Sequence, residues 1–226
     1  MEIEPVNSFR TTVASPPPSQ WPVDESKPFL SNEDESLRLF ENEALEKLTK
    51  VHPLTPVCVF VPIISYLIWR GAYGLNLSLL KAASFFLFGL VFWTFFEYTL
   101  HRFVFHFESK NNRFLKNIYF LFHGIHHAYP RDSRRLVMPP TVSLPLSFLV
   151  YLGCACLMHR SVVPDFMAGF LLGYLFYDMI HFGIHHANFS NSLWQSVKKH
   201  HFRHHYSNKE KGFGVSSPLW DFVFRS

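Results

Sequence analysis

Cysteine is scarce: Cys58, Cys154 and Cys156 are the only three in 226 residues. All lie in apolar runs and no two have C-x-x-C spacing. That excludes a zinc ribbon and a disulfide framework and leaves them as small packing residues. Charge is sparse as well. Lys and Arg number 21 against 17 Asp and Glu, a formal +4 scattered along the chain. Neither this balance nor any zinc-finger, basic-helix or RNP-like pattern supports a nucleic-acid partner. An apolar N-terminal segment is also missing. "MEIEPVNSFRTTVASPPPSQWP" begins acidic and turns rich in Pro and Ser, so no signal peptide is expected. With so few apolar side chains to offset chain entropy, residues 1–30 are expected to form a disordered tail.

What the chain has in abundance is apolar surface. It is 48% hydrophobic and 18% aromatic, with 26 Phe, and its length suits one domain. In "SNEDESLRLFENEALEKLTK", Ser31 and Asp34 have capping-box spacing, and Leu37, Phe40, Ala44, Leu48 and Val51 recur at helical intervals. The spacing predicts an amphipathic helix over 31–52, lying on a membrane surface or against the protein body. Four apolar runs follow, at 54–69, 82–100, 142–158 and 162–180. A membrane-spanning helix needs about 20 residues, which the second and fourth supply and the flanks of the others can complete. Pro56, Pro62 and Pro145 are tolerable in such helices. The third and fourth runs are joined by a few residues around "HRS", as in a tight helical hairpin.

Four crossings place residues 101–141 and 181–226 on one side of the membrane, together with the N-terminus. Those two stretches hold seven and six Lys or Arg, against only Arg70, Lys81 and Arg160 on the other side. The bias predicts a cytoplasmic location for the basic side.

Fourteen histidines are the main anomaly, and ten of them form a spaced pattern on that side. "EYTLHRFVFHF" contributes His101 and His106, "HGIHH" His123, His126 and His127, "YDMIHFGIHH" His181 and His185, and "HHFRHHY" His201, His204 and His205. Positions i, i+3 and i+4 share a helix face, so each His-x-x-His-His aims three imidazoles one way. The five-residue step from His101 to His106 rotates about 140° on an ideal helix, so this pair either straddles a helix end or reaches two different metals. So many converging imidazoles would lack partners without metal, and they exceed the shell of one ion, so two ions are expected. Glu97 and Asp178 sit four and three residues before His101 and His181, where they would support the ligands from a second layer. His52, His159, His186 and His200 fall off the pattern and are expected not to bind metal. The site lies just outside the bilayer at the mouths of aromatic helices, which suits lipid oxidation better than hydrolysis of a soluble substrate.

"EYTLHRFVFH", "HGIHHAYPRDSRRLVMPP", "LFYDMIHFGIHH" and "KKHHFRHHYSNKEKGFGVSSPLWDFVF" resemble the fatty acid hydroxylase superfamily, also called the sterol desaturase family. Within it the chain is most similar to the fatty acid 2-hydroxylases of sphingolipid synthesis, over roughly residues 53–225. The resemblance implies an all-α integral membrane protein with four transmembrane helices. A cytoplasmic helical cap would hold a His-rich dimetal site, with residues 53–226 as the hydroxylase domain. It implies insertion of a hydroxyl at C2 of a long fatty acyl chain, free or in ceramide, using O2 and delivered electrons. It carries metal-ligand roles onto the ten histidines named above, with iron as the working metal and zinc able to occupy the site. It further implies residence in the endoplasmic reticulum or, in a bacterium, the inner membrane. Residues 1–52 are too short for the cytochrome b5 domain of many relatives and lack its "HPGG" signature. A separate cytochrome b5-like carrier and its reductase are therefore expected, and Lys198, Lys199, Arg203, Lys209 and Lys211 offer a basic surface for docking. A sterol or other lipid desaturase or hydroxylase of the same superfamily is the alternative. A metal transporter is more remote, because its ionisable residues should line a path through the spans.

Overall fold

The computed structural model describes residues 30–74, 77–107 and 111–226. The expected tail over 1–30 lies almost wholly outside these residues. Among the described residues all regular structure is helical. Four helices are long and apolar enough to cross a membrane: α2 (Thr55–Gly74), α3 (Leu79–Thr99, prolonged by a π-helical segment to Phe105), α6 (Pro140–Leu157) and α7 (Val163–His186). They coincide with the four expected runs, extended at their ends. Pro62 lies within α2 and Pro145 within α6, while Pro140 and Pro164 sit in the first turns of α6 and α7, where a missing N–H costs nothing.

α7 is the central helix. Some 67% of its most apolar stretch is buried inside the protein, against 6% for α6, so α7 is wrapped by protein while α6 leaves most of its surface uncovered. α3 crosses α7 closely because glycines sit at the crossing. A Cβ on Gly89 would overlap the carbonyl of Phe166, and one on Gly169 the carbonyl of Phe86. At Gly173 an added Cβ would lie 2.6 Å from that of Trp93. Small residues thus let the backbones meet, and aromatic rings fill the flanks: Trp93 packs edge-on to Phe170 at 5.1 Å and to Tyr174 at 5.4 Å.

The cap is built from short pieces. α4 (Arg113–Tyr119) runs through a π-helical segment (Phe120–Gly124) into α5 (Ile125–Ala128). α8 (Ser192–Tyr206) starts at Asn191, whose side chain accepts the N–H of Leu193, and α9 (Leu219–Phe224) closes the chain against α3.

The expected helix over 31–52 is corrected. Only α1 (Glu43–Leu48) is helical, capped by Asn42, and the preceding residues form a non-helical strap. The cause is competition for backbone groups. Glu46 accepts the N–H groups of Leu39 (2.9 Å) and Phe40 (3.0 Å), and Arg135 donates to the carbonyl of Leu37. Arg135 also pairs with Glu46 at 2.6 Å and Asp132 at 3.4 Å, so one buried guanidinium ties strap, α1 and loop together. The apolar residues with helical spacing are used differently: Leu37 and Leu39 pack on Ile125 and Tyr129, with Phe40 beside them.

Overpacking a close crossing typically costs about 1–3 kcal/mol, and more where backbone is the obstacle. Gly169→Leu is expected to yield protein that aggregates on extraction, whereas Gly153→Ala, with nothing within 4 Å of the added carbon, should elute as the parent does. Size-exclusion profiles in detergent check this.

Candidate metal centre

The ends of α3 and α7 bring two pairs of histidines to the same level. His181 and His185 lie on the last turns of α7, one turn apart. His101 and His106 are five residues apart, and the backbone there is π-helical: the N–H of His106 reaches the carbonyl of His101 at 3.2 Å. A π turn spans five residues, so both rings serve one group. His106 caps the segment, so the pair straddles a helix end, and both rings lie in one histidine group rather than in two. A second π segment delivers His123 and leads into α5 with His126 and His127.

The ten histidines gather into two groups of five, each with ligand atoms within 4.8 Å of one another. The first is His101, His106, His123, His127 and His204; the second is His126, His181, His185, His201 and His205. Each His-x-x-His-His is divided. In both copies the i and i+4 rings join one group and the i+3 ring crosses to the other, and between the copies the two groups are exchanged. Each half of the chain thus supplies four rings to one group and one to the other. The groups abut, with His127 stacked on His205 at 4.2 Å.

The rings meet through their Nε2 atoms. In the first group, Nε2 of His123 lies 3.0 Å from that of His101, 3.1 Å from that of His106 and 2.9 Å from that of His127. In the second, Nε2 of His201 lies 3.1 Å from those of both His181 and His185. Two nitrogens about 2.1 Å from a common ion and at right angles stand about 3.0 Å apart, so the spacing suits a shared cation. The hydrogen bonds agree. His101 donates from Nδ1 to the carbonyl of Phe213 (2.5 Å), and His204 from Nδ1 to that of Lys211 (2.8 Å). A carbonyl only accepts, so these Nδ1 atoms carry the protons and the Nε2 lone pairs face the group's centre. Bare lone pairs facing one another would repel, and a metal ion removes that repulsion. Both groups are therefore able to hold a metal ion.

Burial, and then the proximity of the other imidazoles, pushes His123, His126, His127, His201 and His205 well below the ordinary value of 6.5. Burial likewise takes His106 down to about 3 and His204 to about 4. The rings stay neutral at physiological pH, as metal ligands must.

The two supporting acids act differently from expectation. Glu97 accepts the N–H groups of Val215 (2.7 Å) and Ser216 (2.8 Å) and the hydroxyl of Ser216. Asp178 accepts the N–H of Met138 at 3.4 Å. Both hold loop backbone rather than an imidazole. Sequence reasoning missed Asp221, which accepts the N–H groups of Phe213 and Gly214, each at 2.8 Å, and pairs with His200 at 3.1 Å. Burial alone would raise its carboxyl, but the His200 bond and the two amides outweigh it and hold it below the ordinary range. An acid inside the apolar run "PLWDFVF" was the available signal. His52, His159, His186 and His200 stand outside both groups. Of the basic residues, Lys198 is engaged with the carbonyl of Ala187 at 2.8 Å, while Lys199, Arg203, Lys209 and Lys211 are exposed.

A cavity of about 230 Å³ lies under the strap and reaches both groups, touching His123 of one and His126 and His181 of the other. Its walls are largely apolar, with Leu39 and Phe40 from the strap, Phe105 from the π segment and Val137 and Met138 from the "RRLVMPP" loop.

Four membrane-length apolar helices, with a cap that gathers ten buried or half-buried imidazoles beside an apolar cavity, define a membrane protein with histidine groups able to hold metal. Residues 86–226 match the fatty acid hydroxylase family model, and the chain belongs to that family. It is 36% identical to a dihydroceramide fatty acyl 2-hydroxylase of Arabidopsis thaliana, over 84% of this chain and 79% of the relative. It is 34% identical to the fatty acid 2-hydroxylase of Mus musculus, over 84% of this chain and 56% of the relative. A solved structure of full-length scs7p, in which only the hydroxylase domain is visible, matches with a TM-score of 0.78 and 38% identity, covering 83% of this chain and 70% of that one.

Unfolded imidazoles take up protons below about pH 6.5, whereas the buried rings stay neutral, so acid favours the unfolded chain. The contribution of neutral burial is complete above pH 6.5 and declines as pH falls below it. Thermal unfolding in detergent should show midpoints that drop steadily on the acid side, and a flat profile there would contradict this burial.

Proposed function

We propose that this chain is a membrane-bound lipid hydroxylase that inserts a hydroxyl at C2 of a long-chain fatty acyl group. The observation that carries this is the apolar cavity ending at His123, His126 and His181, where the two histidine groups meet. The names of the relatives, fatty acid and dihydroceramide fatty acyl 2-hydroxylases, support it.

His101, His106, His123, His127 and His204 would hold one metal ion, and His126, His181, His185, His201 and His205 the other. When bound, a pair of redox-active ions, for which we propose iron, supplies the activation of O2 that an unreactive C–H bond requires; zinc can fill such sites without that chemistry. The reaction balances as one acyl C–H, O2, two electrons and two protons giving C–OH and water. Leu39, Phe40, Val137 and Met138 exclude water and hold the acyl chain against one end of the site. A lipid keeps its polar head near the interface, so the carbon presented to rings at the ends of α3 and α7 is one close to the head. C2 fits; a mid-chain carbon would have to fold back. Productive attack needs reacting atoms about 3–3.5 Å apart, which a narrow apolar slot enforces.

Electrons come, in this proposal, from a separate cytochrome b5-like carrier and its reductase, docking on exposed Lys199, Arg203, Lys209 and Lys211. The Lys and Arg bias supports a cytoplasmic location for this face, and we propose that the spans lie in the endoplasmic reticulum or a bacterial inner membrane.

Expression in a host lacking its own 2-hydroxylase is expected to give 2-hydroxy acyl chains in hydrolysed lipids by mass spectrometry. A new double bond or an altered sterol, without 2-hydroxy acid, would move the chain to another activity of the superfamily. His126→Ala should reduce product by at least about 100-fold while the protein remains membrane-inserted, as loss of one member of a catalytic unit does. His159→Ala, on the opposite side, should match the parent. Leu39→Trp, which fills the cavity, should lower turnover with metal content unchanged.

A further inference from the structure

The two histidine groups have unequal support. In the first, the Nδ1 protons of His101 and His204 are fixed by the carbonyls of Phe213 and Lys211. Those carbonyls belong to one short loop, and that loop is itself clamped. Asp221 takes the N–H groups of Phe213 and Gly214, and Glu97 those of Val215 and Ser216. His200 in turn holds Asp221 at 3.1 Å. Four consecutive amides therefore end on two buried carboxylates, one from α3 and one from α9. In the second group the Nδ1 atoms of all five rings, His126, His181, His185, His201 and His205, are buried and meet no hydrogen-bonding partner among the described residues.

An acceptor on the far nitrogen fixes a ligand's tautomer and orientation and raises its basicity. Losing one typically costs about 10–100-fold in metal affinity. We propose that the two sites hold metal with unequal strength, the His101 group tightly and the His181 group loosely, and that Asp221 and Glu97 are the positioning residues responsible. They touch no ligand ring in either group; they act through the 211–216 loop, whose carbonyls would otherwise be free to turn away. The tight site is thus set by the C-terminal segment, and the loose one is the site from which an ion leaves first.

The inference rests on both groups binding metal, and the test separates the two ideas. Full-length protein in detergent is loaded with zinc alone, and retained zinc is measured by elemental analysis against increasing chelator. Two equivalents are expected to leave in two phases separated by at least about 10-fold in chelator concentration. His185→Ala should remove the weak phase and His106→Ala the tight one. Asp221→Asn should move the tight phase about 10–100-fold toward the weak one and leave the weak phase in place. Ser216→Ala, which deletes one bond to Glu97 without touching a carboxylate, should move it the same way by less, and it decides the matter if Asp221→Asn aggregates. Release of both equivalents in one phase, or a tight phase unmoved in well-behaved variants, overturns the proposal. Failure of the parent to retain zinc at all would overturn the metal-site assignment beneath it.

Discussion

The crossing of α3 and α7 is the contact on which everything else depends. Ten imidazoles can converge only if the helix ends that carry His101, His106, His181 and His185 meet at the same depth. Gly89 and Gly169 allow it by removing the side chains that would hold the backbones apart. In lipid, where helix association gains little from apolar burial, such backbone proximity and the ring contacts of Trp93 are what hold the pair. The cap then needs only short helices and loops, because its attachment points are already placed.

The spans were legible in the sequence because a membrane imposes one simple requirement, length without charge, and four runs met it. The ten histidines were legible for a similar reason: the i, i+3, i+4 spacing survives any arrangement of the helices that carry it. The division of each motif between two groups was not. It depends on the ring facing each position from another segment, and His126 is assigned by His181, His185 and His205 rather than by its neighbours in sequence. The pairing of His101 with His106 needed a π turn, which no periodicity in the apolar residues announces.

The strap failed for a local reason. Leu37, Phe40, Ala44 and Leu48 have the spacing of a helix, yet Glu46 and Arg135 claim the amides and the carbonyl that a helix would have used. Arg135 lies nearly a hundred residues from the strap, so local propensity carried no trace of it. Asp221 was missed on the same grounds, since its partners are the backbone of a loop with no fixed pattern. In each case the unreadable part is side chain to backbone over long range, and the readable part is side chain to side chain along one helix.

The exchange of one ring between the halves has a bearing on how the chain matures. Synthesis proceeds from the N-terminus, and His101, His106, His123 and His127 are made together, but the fifth member of their group is His204. The other group likewise has its earliest member, His126, waiting for α7 and α8. Neither pocket has its full complement until α8 is made and folded onto the cap. A ribosome-bound intermediate therefore offers incomplete, open-sided clusters, and the two pockets become complete in one late docking event rather than in succession along the polypeptide.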